Sequence, residues 1–151
     1  MSDLRELYQE VILDHNKNPR NFGKLENHSH HANGHNPLCG DKLELFIEVV
    51  DDVIKDIAFT GSGCAISTSS ASIMTQFLKG KTLSDTRHFF NDFHDLVTGI
   101  PISEEQIDDM GKLAVFAGVQ EFPARVKCAS LSWHTLMNAL DSEIETAQTE
   151  D

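Results

Sequence analysis

Residues 42–49 force the first decision about this chain. Leu43, Leu45, Ile47 and Val49 alternate with Lys42, Glu44, Phe46 and Glu48. A period of two sends successive side chains to opposite faces, so this stretch is a half-buried strand and not a helix. Asp51-Asp52 then makes a tight turn, and Val53 to Thr60 reads as the hairpin partner.

Elsewhere the period is helical. Leu4, Leu7, Tyr8, Val11 and Ile12 follow the i, i+3, i+4, i+7, i+8 pattern of an amphipathic helix over residues 3–16, stopped by Asn18-Pro19. Residues 20–40, rich in Asn, Gly and His, predict a loop with one short strand. After Gly61-Ser62-Gly63, residues 65–78 predict a helix closed by Gly80. Thr82 or Ser84 caps a further helix carrying Phe89, Phe90, Phe93, Leu96 and Val97, three of them aromatic core candidates. Ser103 with Gln106 forms a capping box, residues 113–119 are a short helical segment, and Pro123 opens the last helix. The acidic stretch after Asp141 is expected to fray. Residues 1–151 therefore form a single α+β domain, a small antiparallel β-sheet with helices packed on one face.

Composition narrows the partners. Twelve Lys and Arg against twenty-four Asp and Glu leave a net charge of −12, which repels phosphate backbones and anionic lipids and argues against nucleic acid and membrane partners. No apolar run is long enough to span a membrane, and the polar opening Met1–Glu6 is unlike a secretory leader. A cytoplasmic setting is expected. In a reducing compartment, three cysteines are metal ligands, reactive thiols or core residues, not a disulfide framework.

The hairpin brings two of those cysteines together. Cys39 precedes the first strand and Cys64 follows the second, and a hairpin returns its chain to the level where it began, so both lie at one end of the sheet with Asp41. Cys128 lies near the start of the final helix, with Arg125 and Lys127 beside it. Three thiols and one carboxylate can make a tetrahedral zinc site. The spacing lacks a short Cys-x-x-Cys clip, so burial of the cysteines as small hydrophobes stays open on these grounds. His28, His30, His31 and His35 read as an exposed polar segment and His134 as a packing residue. The Ser67–Ser72 run lacks the Gly-Lys-Ser/Thr of a phosphate loop.

Asn36-Pro37-Leu38-Cys39-Gly40-Asp41, Gly61-Ser62-Gly63-Cys64-Ala65-Ile66-Ser67 and Arg125-Val126-Lys127-Cys128 resemble the three motifs of the U-type iron–sulfur cluster assembly family, which includes IscU, SufU and the N-terminal domain of NifU. Leu7–Ile12, Asn18–Asn21 and Leu131–Leu136 also fit, so the resemblance spans nearly the whole chain. Lys127 stands where the scaffold type carries His, and the segment between Cys64 and Cys128 is several helical turns longer, as in the SufU branch. That resemblance implies zinc held by Cys39, Asp41, Cys64 and Cys128. It also implies a SufS-type cysteine desulfurase as partner and transfer of persulfide sulfur toward downstream iron–sulfur assembly proteins. The chain then acts as a partner and activator of the desulfurase more than as a stand-alone enzyme. Cys39, in a loop beside Gly40, is the expected sulfur acceptor. Arg125 and Lys127 are expected in support, Arg125 either orienting Asp41 or docking the partner. Two other readings use the same residues: a scaffold on which a [2Fe–2S] cluster is built, and an adaptor in which zinc only holds loops.

Overall fold

The computed structural model describes residues 2–141 and 146–148, with side chains from Tyr8 onward in the first helix. Helix α1 (Ser2–Lys17) is followed by strands β1 (His30–Asn36), β2 (Asp41–Val50) and β3 (Val53–Ser62). Helices α2 (Ala65–Leu78), α3 (Leu83–Thr98) and α4 (Glu104–Met110), a 3₁₀ segment Gly111–Val119, α5 (Pro123–Asp141) and a short β4 (Thr146–Gln148) complete the order.

The strands run β3-β2-β1-β4 across one sheet. β1, β2 and β3 are antiparallel neighbours, with Asn36 paired to Asp41 and Lys42 to Ser62. Those pairs set the β1–β2 turn and the end of β3 level with each other, as the hairpin argument requires. Asp51 and Asp52 have φ of 52° and 62°, the left-handed values of a two-residue hairpin turn that short Asp side chains tolerate.

β1 is longer than the sequence pattern suggests. Its inward positions are Ala32, Gly34 and Asn36, all fully or largely buried, and none of them gives the apolar alternation of a strand. They are small because α5 lies directly on them: a Cβ at Gly34 would collide with Thr135 Oγ1 of α5. β4 lies within the stretch expected to fray. Thr146, Ala147 and Gln148 pair in parallel with Asn33, Gly34 and His35 on the outer edge of β1. Backbone pairing along a free strand edge needs no apolar pattern, which is why composition did not reveal it. The other tail positions, 142–145 and 149–151, lie outside the described residues.

Leu43, Leu45, Ile47, Ile54, Ile57 and Phe59 of the sheet join Ile73, Met74 and Leu78 of α2 and Ala129, Leu131 and Leu136 of α5 in one core. Each fully buried side chain of this kind contributes about 1.5–3 kcal/mol. α1 adds Tyr8, Val11 and Ile12 at the edge of that core, while the expected contributions of Leu4 and Leu7 fall on side chains outside the described residues. Phe93 is buried and stacks on Trp133 at 5.1 Å, and Phe89 and Phe90 pack beside the core. The caps are those read from the chain: Thr82 accepts from the Asp85 amide, and Ser103 and Gln106 close a reciprocal capping box. No helix among the described residues is long and apolar enough to cross a membrane.

Candidate metal centre

Four acidic groups meet where the β1–β2 turn, the end of β3 and two helices converge. Cys39 sits on the turn between Asn36 and Asp41 and is exposed. Asp41 opens β2 with its side chain on the covered face, 0% exposed. Cys128 is 2% exposed in the second turn of α5. Its Sγ lies 3.2 Å from Cys39 Sγ, although 89 residues separate them. Ligand atoms of Cys39, Asp41 and Cys128 all lie within 4.8 Å of one another.

Cys64 stands at the side of this triad. It is the N-cap of α2, where its sulfur accepts from the Ser67 amide at 3.4 Å, and Sγ is 3.9 Å from Asp41 Oδ2. Asp41 reaches the same helix start through Oδ1, which accepts from the Cys64 N–H at 2.8 Å. Gly63 makes that approach possible, because a Cβ there would run into the Asp41 carboxylate.

The electrostatics of the cluster point to a cation. Burial pushes the Cys128 thiol well above its usual range, and the adjoining thiols of Cys39 and Cys64 and the Asp41 carboxyl push it the same way. Each proton lost from such a set adds negative charge beside the buried Asp41 and Cys128, which is costly without a counter-charge. A divalent metal supplies that charge, and three sulfurs with one carboxylate oxygen suit a tetrahedral ion such as zinc. The donor set therefore fits a metal.

The flanking residues divide. Arg125 is exposed with its guanidinium 4.5 Å from the ring centre of Phe122. Asp41 is oriented by the Cys64 amide instead, so of the two roles considered for Arg125 the orienting one goes to the backbone. Lys127 is half-buried on α5 next to Cys128. The histidines around β1 are engaged locally, His28 with the Leu25 carbonyl at 2.6 Å and His31 with Glu44 at 2.8 Å. His134 packs edge-on against Phe90. Sequence reasoning passed over Asn36, which is buried and donates from Nδ2 to Cys128 Sγ at 3.6 Å. Its place three residues before Cys39, inside the first motif, was the available signal.

Known proteins resemble this chain over most of its length. The model of the NifU-like N-terminal domain matches residues 7–129. The zinc-dependent sulfurtransferase SufU of Bacillus subtilis is 41% identical over 142 residues, covering 94% of this chain and 95% of its own. The iron–sulfur cluster assembly scaffold protein IscU of Streptococcus pyogenes is 36% identical, covering 93% and 86%. Among solved structures, a candidate iron–sulfur cluster assembly scaffold protein for the SUF system from Fervidobacterium islandicum superposes with a TM-score of 0.81. It is 34% identical and covers 87% of this chain and 94% of its own.

Proposed function

Because the chain belongs to the NifU-like N-terminal domain family, we propose that it serves iron–sulfur cluster biogenesis as a zinc-dependent acceptor of persulfide sulfur from a SufS-type cysteine desulfurase. One observation carries this reading. Of the thiols in the cluster, Cys39 alone is exposed, on a turn, while Cys128 is buried in a helix and Cys64 caps another. A site that only held loops together has no need of an accessible ligand.

Cys39, Asp41, Cys64 and Cys128 would hold the zinc, which supplies the charge that keeps the sulfurs as thiolates at neutral pH. Cys39 then attacks the outer, sulfane sulfur of the desulfurase persulfide. A bond forms between Cys39 Sγ and that sulfur, the partner's S–S bond breaks, and the partner leaves as a thiolate, with no net oxidation. Cys39 now carries the persulfide for delivery to a downstream acceptor. Exposed Leu38 and Phe122, with Arg125 over the Phe122 ring, offer a mixed apolar and cationic surface to the desulfurase. A reducing, cytoplasmic setting suits three free thiols.

The test is metal and acid-labile sulfide analysis after anaerobic incubation with ferrous iron, cysteine and a SufS-type desulfurase. About one zinc per chain retained with no sulfide is the expected result, and Cys39→Ala abolishes stimulation of the desulfurase while the chain stays folded. Iron and sulfide accumulating in equal amounts in place of zinc would make the protein a cluster scaffold. Stimulation that survives Cys39→Ala would remove Cys39 from the acceptor role.

A further inference from the structure

Asn36 bridges the Cys128 thiol and the turn that carries Cys39. It is the last residue of β1, 0% exposed. Its Oδ1 accepts from the Leu38 N–H at 3.2 Å, and its Nδ2 faces Cys128 Sγ at 3.6 Å. The orientation of the amide follows from its partners. A backbone N–H can only donate, so the atom facing Leu38 is the oxygen, and the NH₂ must point at the sulfur.

We propose that Asn36 is a positioning residue that decides which thiol is retained and which is released. Its N–H donation draws electron density from the Cys128 sulfur and keeps it the less nucleophilic, retained ligand. Its oxygen holds the Leu38 amide, and with it the turn that bears Cys39. This rests on the acceptor role given to Cys39 above. Hydrogen bonds to ligating sulfurs are a general means of tuning metal–thiolate sites, and here one side chain couples that tuning to the loop bearing the other thiol.

Asn36→Asp separates the two contacts: it preserves size and the oxygen that accepts from Leu38, but places an acceptor where the donor was. The full-length zinc-loaded chain is treated with limiting iodoacetamide, and alkylation at each cysteine is timed by peptide mass spectrometry. In the parent protein Cys39 reacts first and Cys128 last. Asn36→Asp raises the Cys128 rate about tenfold and leaves the Cys39 rate within about twofold of the parent. The cobalt(II)-loaded variant supplies a second readout, its thiolate-to-cobalt charge-transfer band moving to longer wavelength, which a purely structural role would not produce. Asn36→Ala, which also loses the donor, gives the same band shift and carries the test if the buried carboxylate prevents folding. An unchanged band and an unchanged Cys128 rate in the folded variant overturn the proposal. Parent alkylation that begins at Cys64 strikes out the acceptor role of Cys39, and the Cys128 response to Asn36→Asp still decides the role of Asn36.

Discussion

Helix α2 carries two buried polar clusters, and they solve the problem of burial in opposite ways. Near its middle, Ser72 meets α1 and the chain after it. Ser72 Oγ accepts from the Arg20 amide at 2.8 Å and lies 2.7 Å from His15 Nδ1. One hydrogen bond joins Nδ1 to that hydroxyl, and burial favours the neutral imidazole. Asn21 adds a bond to Thr75 one turn on. At the start of the same helix, Cys64 and Asp41 join Cys39 and Cys128 in a set that contains acids only. The first cluster is buried with its imidazole uncharged. The second is the donor set of the proposed metal site, where a bound cation would balance the charge of its acids.

Metal removal tests that distinction most severely. Binding to the folded state alone adds RT ln(1 + [M]/Kd), about 4 kcal/mol at a thousandfold excess over Kd. Calorimetry with and without a strong chelator should show a loss of that order, accompanied by release of zinc to a colorimetric indicator. No change in melting temperature on chelation would mean that the acid cluster is as self-sufficient as the histidine one.

Acidification probes the other cluster. His15 is 1% exposed, its Nε2 has no partner among the described residues, and burial, with the charges of Arg20 and Lys112 in the same direction and Asp14 against, lowers its pKa from 6.5 to about 4. Below pH 6.5 the unfolded chain therefore takes up a proton that the folded one refuses. Stability contributed by neutral His15 is whole above about pH 6.5 and falls as the pH drops toward 4, by on the order of 2–3 kcal/mol. Denaturant melts of metal-free protein between pH 7 and 4 measure the drop. His15→Gln should flatten that part of the profile, and an unaltered slope would clear His15 of responsibility.

The smallest effect sharpens the contrast from within the metal cluster. Asp41→Asn keeps an oxygen for the Cys64 amide but removes a buried negative charge from an all-acid group. Metal-free protein should gain about 1 kcal/mol, while zinc affinity falls about 10- to 100-fold. Competition against a chromogenic chelator and a urea melt give the two numbers. A variant that loses stability in both forms would show Asp41 to be a brace like Ser72.

Much of this was legible because the physics involved is local. The alternation of Leu43, Leu45 and Ile47 requires only neighbours in sequence, as do the Thr82 cap, the Ser103–Gln106 box and the Pro123 helix start. The four candidate ligands were legible through motif resemblance and through the rule that a hairpin's outer ends lie level. β1 was underestimated because its inward residues are chosen for the closeness of α5, so small size replaces apolar alternation as the signal. Asn36 had no role in the sequence because an amide becomes a sulfur donor only when a helix 92 residues away sets Cys128 beside it.

The sequence by itself therefore determined the α+β class, the hairpin, the helix caps and the candidate thiol and carboxylate ligands, since periodicity and capping act within a few residues. Only the tertiary structure decided that Cys39 is the exposed thiol and Cys128 the buried one, that Cys64 caps a helix against Asp41, and that Arg125 turns to Phe122. Those outcomes depend on how α2 and α5 pack over the sheet, and packing is a property of surfaces that no local pattern contains.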